Sequence, residues 1–381
     1  MDRINQADRI AFSHGAGIAN GMLADARLNA ERLRGRGAAV NPMPRFDRYQ
    51  REAFDDGWQA FEDLPPFATE VQIDKSRTVI SRNDSPDLPF DQSINPYRGC
   101  EHGCVYCFAR PTHAYLGLSP GLEFETKLFA KPDAARLLER EIGKPNYEVK
   151  TLAIGTNTDP YQPVEKKYRI MREILEVLDA ASHPVTIVTK SALVMRDIDI
   201  LSRMAERGLA KVAVSVTTMD RALARAMEPR AATTSRRLEA LRALSEAGVP
   251  TSVLVAPVVP GLTDHELERI LDAAAAQGVK EARYILLRLP LEVAPLFKEW
   301  LLRTYPDRYK HVMSLLRSMR GGKDYDAEFG KRMSGSGPYA WQIGRRFELA
   351  AKRHGLNIER KRLRSDLFSA PQLAGAQMSL F

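Results

Sequence analysis

The chain has 381 residues, 44% hydrophobic and 27% charged, which is the balance of a globular protein able to bury one sizeable core with appendages. It has no apolar run of about 18 residues and no apolar stretch of signal-peptide type at its polar N-terminus, so the reading is cytoplasmic, with no membrane span. The net charge of +8 is unevenly spread, because residues 301–364 hold 16 Lys/Arg against 6 Asp/Glu, a net of +10, leaving the remainder at −2. Segregated positive charge attracts phosphate backbones. A solvated helical face gives the same counts.

Residues 1–80 read as an N-terminal extension to which no chemistry is assigned. A short helix fits 24–34, after which Gly35, Gly37, Asn41, Pro42 and Pro44 break regular structure. Pro65-Pro66 marks a boundary, and Asn83-Asp84-Ser85-Pro86 a turn into a core spanning 81–300.

Every cysteine of the chain falls within Cys100-Glu101-His102-Gly103-Cys104-Val105-Tyr106-Cys107. An odd number in a chain without secretion signals argues against disulfides. Thiolates packed this closely suit an iron–sulfur cluster or zinc. Structural zinc wants four ligands, and the fourth would have to be His102 or His113. The other reading of these two rings is that His102 orients the loop or faces solvent while His113 makes a local hydrogen bond. A cubane held by three thiolates instead leaves one iron open to a small molecule.

Beyond the cysteines, β-rich runs at 94–97, 150–154, 185–189, 211–216, 252–256 and 283–287 alternate with helical periodicity. Met171, Ile174, Leu175 and Leu178 fall at i, i+3, i+4 and i+7, as do Leu267, Ile270, Leu271 and Ala274, the stripe of a helix packed on a sheet. Six such repeats predict an α/β fold, an open six-stranded (β/α)6 partial TIM barrel, since a closed barrel needs two further units. Ligands gather at the C-terminal ends of such strands.

The C-x3-C-x2-C spacing with Tyr106 before the third cysteine resembles the signature of the radical S-adenosylmethionine (SAM) enzymes. With Asn95-Pro96-Tyr97-Arg98-Gly99 leading in, Phe108-Ala109-Arg110 leading out and residues 155–163 downstream, it is similar to the bacterial branch related to spore photoproduct lyase. That resemblance implies a 4Fe-4S cluster on Cys100, Cys104 and Cys107, whose open iron chelates SAM, and reductive cleavage to a 5′-deoxyadenosyl radical, with the hard chemistry carried by the cofactors. It further implies an electron donor such as flavodoxin or ferredoxin.

Within the same resemblance, Thr156, Asn157 and Asp159 stand where many relatives carry a Gly-Gly-Glu loop for the SAM amino group, a departure from that pattern. Lys190 looks like the lysine that meets the SAM carboxylate. Ser215 and Thr217 suit the carboxylate and ribose, Val259 lies in a wall for adenine, and Tyr106 stacks on the same ring. Arg288, after the sixth strand, meets either a substrate phosphate or a structural partner, and Arg230 either serves the site or pairs internally with Glu228. The implied substrate is DNA or another nucleic acid, in repair or modification. Two readings stand beside it: an iron–sulfur or zinc redox sensor that binds nucleic acid without SAM turnover, and radical modification of RNA or protein. No fourth cysteine remains to return a hydrogen atom to the product, which leaves Tyr161 as a candidate.

Residues 301–365 read as a basic helical region, with helices over 305–319 and 341–354 joined by connecting loops at 320–323 and 333–338. Residues 366–381 form a flexible tail. It ends in Gln377-Met378-Ser379-Leu380-Phe381, which resembles the peptide by which repair proteins dock on the bacterial β sliding clamp.

Overall fold

The computed structural model describes residue 33, residues 35–46 and residues 67–371. The helix expected over 24–34, apart from residue 33, and the clamp-like peptide 377–381 lie outside the described residues.

Ten strands are present among the described residues: β1 Glu70–Ile73, β2 Ile80–Arg82, β3 Gln92–Ile94, β4 Tyr97–Arg98, β5 Lys127–Ala130, β6 Leu152–Ile154, β7 Val185–Thr189, β8 Ala210–Ser215, β9 Thr251–Val258 and β10 Glu281–Leu286. The main sheet runs β10-β9-β8-β7-β6-β3-β2. From β3 to β10 every pairing in it is parallel, and β2 closes one edge antiparallel to β3. This is the open, six-parallel-strand partial barrel that the alternation of runs predicts, with one extra edge strand.

Helices cross between successive parallel strands: α1 Ala134–Ile142, α2 Ile170–Ala180, α3 Ile198–Glu206, α4 Arg221–Met227, α5 Thr234–Glu246 and α6 Leu267–Ala275. Three more follow the sheet, α7 Val293–Thr304, α8 Pro306–Ser318 and α9 Gly337–Arg353. Both predicted stripes are on the inner faces: Met171, Ile174, Leu175 and Leu178 of α2, and Leu267, Ile270, Leu271 and Ala274 of α6, are fully buried. Burial of each larger side chain stabilises the sandwich by about 1.5–3 kcal/mol. Along β7 and β9 buried residues alternate with half-buried ones, as period-2 pleating requires.

The run 94–97 does not form one strand. Ile94 ends β3, Pro96 has no N–H to continue a ladder, and the chain changes sheets so that Tyr97 and Arg98 pair with β5. A small second sheet, β1-β5-β4, results. Its strands are short and β1 is largely exposed, so no periodicity advertises it. No described helix is long and apolar enough to cross a membrane.

Candidate functional site

The three cysteines occupy a loop without regular structure, following β3 and β4 at the C-terminal edge of the first parallel strand. The loop is fixed from three directions. The amide of Cys100 donates to Phe124 O (2.9 Å) and that of Val105 to Met227 O (3.1 Å), while His102 O accepts from the Arg230 amide (3.3 Å). The turn after β6 supplies the third hold: Gln162, fully buried, accepts from the Glu101 amide at 2.9 Å and donates to Gly99 O at 3.2 Å. Thr158 donates to Tyr97 O at 2.7 Å.

Cys100 and Cys104 are buried and Cys107 is half-buried. Burial, with Asp159 beside it, pushes the Cys100 thiol well up, and burial with nearby Glu228 pushes Cys104 up to about 12. Both thiols are therefore protonated in the metal-free chain, and metal binding displaces those protons. Among the described residues no three His, Cys, Asp or Glu side chains converge closely enough to hold a single metal ion. A cubane asks for less convergence, because each thiolate binds a different iron. The two histidines considered as a fourth zinc ligand have other neighbours: His102 Nδ1 is 3.4 Å from Asp159 Oδ2, and His113 Nε2 is 3.0 Å from Lys127 O. The donor set, three thiolates on one anchored loop, fits a three-cysteine cubane.

Sequence reading missed the acid that assembles this loop. Glu125 is fully buried, and Oε1 accepts from Arg110 Nη2 (2.5 Å) and the Ala38 amide (2.9 Å) while Oε2 accepts from the Gly37 amide (2.9 Å). Arg110, equally buried, donates through Nε to Cys104 O at 2.9 Å. The N-terminal segment is thus stitched to the cysteine loop. Gly37 lies so close that a Cβ there would sit 1.8 Å from Gly103 O.

At the ends of β6 and β7, Asp159 is 10% exposed and almost fully hydrogen-bonded. It accepts from the Thr189 hydroxyl (2.7 Å), the Lys190 amide (2.7 Å) and the Tyr161 amide (2.9 Å). Burial pushes its carboxyl up, but His102 and these donors outweigh that and hold it at about 2. The Lys190 ammonium lies 5.8 Å from the Tyr106 ring centre and has no salt bridge among the described residues. Thr156 and Asn157 are half-buried, the Asn157 amide donating to Asn95 Oδ1 at 3.1 Å.

Beyond β8, Glu228 is buried and accepts from the Tyr106 hydroxyl, from Thr217 Oγ1 (2.7 Å) and from Arg237 Nη2. Burial alone would push the Glu228 carboxyl up, yet Arg237 and Lys190 hold it at about 2. Arg237 also donates to Ser215 O at 3.1 Å. The internal Arg230–Glu228 pair is absent: Arg230 instead meets Glu101 at 3.0 Å, because Glu228 points inward to Arg237. Val259 is fully buried in an apolar cluster with Cys104 and Tyr106, to which α7 and α8 contribute Phe297, Trp300, Val312 and Leu316. Tyr161 is fully buried, with the Arg196 guanidinium 5.9 Å from its ring.

Arg288, just past β10, stacks 4.5 Å from the centre of the Phe108 ring, next to the third cysteine. In the sequence Phe108 belongs to the segment leading out of the cysteine triplet, and nothing there marks it as the stacking partner of Arg288.

Three comparisons bear on this arrangement. The profile of the radical SAM superfamily matches residues 94–274. An uncharacterized protein of Mycobacterium tuberculosis is 39% identical over 232 residues, 60% of this chain and 68% of that protein. An uncharacterized protein of Methanocaldococcus jannaschii is 26% identical over 220 residues, 58% of this chain and 78% of that protein. Among solved structures, spore photoproduct lyase superposes with a TM-score of 0.55 at 17% identity, covering 75% of this chain and 80% of the other. A structure of that lyase with dinucleoside spore photoproduct gives a TM-score of 0.54 at 17% identity, with the same coverage.

Proposed function

Because this chain belongs to the radical SAM superfamily, and is therefore an enzyme that uses a 4Fe-4S cluster and SAM, we propose that its substrate is DNA, repaired or modified by hydrogen abstraction. The observation that carries this reading is where the positive charge lies. Helices α7 and α8 share an apolar cluster with Cys104 and Tyr106 of the cysteine loop through Phe297, Trp300 and Leu316, and expose Arg308 and Lys310 alongside Arg303 and Arg317, which pair with Glu299 and Asp324. A cationic surface next to the reacting centre suits a phosphodiester backbone and steers it there. The spore photoproduct lyase whose fold is shared has been solved with a dinucleoside photoproduct, which supports the same class of substrate.

Cys100, Cys104 and Cys107 hold the cluster in this reading. When bound, the cluster and SAM supply a 5′-deoxyadenosyl radical that abstracts hydrogen. The chain's own part is orientation. Lys190 meets the SAM carboxylate, its backbone fixed by Asp159, and Thr156 and Asn157 meet the amino group. Ser215 and Thr217 line the carboxylate and ribose, and Val259 with Tyr106 borders the adenine. Tyr106 is held for this by Glu228, which also orders Arg237. Tyr161 is the candidate for returning hydrogen to the product. A flavodoxin or ferredoxin supplies the electron in the reducing cytoplasm, and residues 377–381 dock on the β sliding clamp.

The test is isotope transfer. Perdeuterated DNA incubated anaerobically with the reduced, SAM-loaded enzyme is expected to enrich 5′-deoxyadenosine in deuterium. Absence of enrichment with DNA, but enrichment with labelled RNA or protein, would transfer the substrate to that class.

A further inference from the structure

Three arginine-backed aromatic units, four rings in all, are exposed around the end of the cysteine loop. Phe108, 44% exposed, carries Arg288 at 4.5 Å. On one side, Phe46 (58% exposed) and Tyr115 (73% exposed) have ring centres 5.2 Å apart, with the Arg45 guanidinium 5.5 and 5.8 Å from them. On the other, Phe329 (55% exposed) carries Arg332 at 4.8 Å. Single exposed apolar residues are ordinary, but three arginine-stacked aromatic units around one loop are not.

Contacts on the page order them. Arg45 donates to Pro111 O at 3.3 Å, three residues beyond Phe108, and pairs with Glu292 at 3.2 Å, four beyond Arg288. Arg332 pairs with Asp87 at 2.6 Å, and Arg332 and Asp87 both act electrostatically on Arg288. The Phe108–Arg288 unit is therefore the middle one, adjoining Cys107. It differs from its neighbours in one respect. Arg45 and Arg332 have carboxylate partners, whereas Arg288, half-buried, has no hydrogen-bond or salt-bridge partner among the described residues. Burial lowers its guanidinium from the ordinary value and Arg332 adds to that, while Tyr325, Cys107 and Asp87 offset it only in part and from beyond ion-pair distance.

Resting on the DNA reading above, we propose that these three stacks are a path for one unpaired DNA strand, with bases on Phe46/Tyr115, Phe108 and Phe329 and a phosphate of the central nucleotide on Arg288. Bases can lie on protein rings only when unstacked from their neighbours, which selects a single strand or a flipped nucleotide over an intact duplex. Arginine behind each ring adds cation–π attraction and a backbone contact. The path delivers the central nucleotide beside the third cysteine.

Fluorescence anisotropy of the full chain, cluster reconstituted anaerobically, tests this with a labelled single strand of about 12 nucleotides, its duplex, the same sequence as RNA, and inorganic phosphate as competitor. The single DNA strand is expected to bind more tightly than the duplex. Phe108→Ala and Tyr115→Ala should each weaken it about tenfold, and Tyr115 is exposed enough for its truncation to spare the fold. Arg288→Gln should reduce the log–log salt slope by about 1, while Arg288→Lys keeps the charge and the slope. Ile358→Ala removes an exposed side chain beside Asn357, which bonds the opposite end of β10, and should change nothing. Single-strand binding unmoved by Phe108→Ala and Arg288→Gln overturns the path and leaves the DNA reading standing, as does an Arg288→Gln effect confined to the cluster's reduction potential, which assigns the guanidinium as counter-charge to the cluster. Duplex binding as tight as single-strand binding, or displacement by inorganic phosphate as effective as by DNA, also overturns the path alone. Binding of the RNA but not the DNA, or no DNA binding by the unaltered chain, overturns both.

Discussion

Arg110 and Glu125 form a 2.5 Å ion pair with neither side chain exposed, and that one contact holds both the carbonyl of Cys104 and the amides of Gly37 and Ala38. Breaking a buried pair by neutralising one partner leaves the other charge uncompensated. Glu125→Gln is expected to destabilise the protein by about 3–5 kcal/mol, read from urea unfolding of the reconstituted chain under anaerobic conditions. An unchanged midpoint would mean that the pair does not organise the loop.

Gly37 touches the cysteine loop from the N-terminal side. An alanine there places its Cβ 1.8 Å from Gly103 O, and backbone cannot yield as a flexible side chain does. Gly37→Ala should displace residues 36–45, destabilise by about 1–3 kcal/mol, and make the 35–46 segment a preferred site of limited proteolysis. Protease resistance equal to that of the parent protein would show that the segment is not fixed by this approach.

Lys190 has its backbone set by Asp159 and its ammonium without a salt bridge among the described residues. Lys190→Ala is expected to retain the cluster and weaken SAM binding by about 1.5–3 kcal/mol, the worth of a charge-assisted hydrogen bond. Equilibrium dialysis with labelled SAM reads this directly. Unchanged affinity removes Lys190 from the site, and loss of the iron assigns it a structural role.

His183 is buried away from the cysteines, its Nε2 2.9 Å from the Tyr147 hydroxyl and its Nδ1 3.0 Å from Pro184 O. Burial lowers its pKa from 6.5 to about 4. Between those values the unfolded chain takes a proton that the native chain refuses. The stabilising contribution is thus complete above pH 6.5 and declines as pH falls toward 4, by about 3 kcal/mol in all. His183→Gln should flatten that portion of the stability–pH profile. A profile of the same slope in the variant would locate the titration elsewhere.

How much of this was legible follows from what each signal depends on. The cysteine triplet is local in sequence, and the α2 and α6 stripes repeat with the helical period, so both could be read directly and both are where expected. Glu125, Arg110, Glu228 and Arg237 look in sequence like ordinary surface charges. Only the fold reveals that they are buried and paired, across separations of 15 and 9 residues. An internal Arg230–Glu228 pair suggests itself because the two are neighbours in sequence, and the direction of Glu228 toward Arg237 rules it out. The small sheet escaped because β4 has two residues and β1 is mostly exposed, leaving no alternation to detect. Asp159 stands in the sequence as a candidate SAM ligand, and its bonds to Thr189, Lys190 and Tyr161, which fix the Lys190 backbone, are visible only in the fold.

The central claim is that Cys100, Cys104 and Cys107 hold a cluster that cleaves SAM, and one anaerobic assay addresses it. The reconstituted chain is expected to carry about four irons and four sulfides, to release 5′-deoxyadenosine when dithionite and SAM are added, and to lose both properties when any of the three cysteines becomes alanine. A chain that instead binds a single zinc tightly, shows no reducible cluster and forms no 5′-deoxyadenosine would contradict the account.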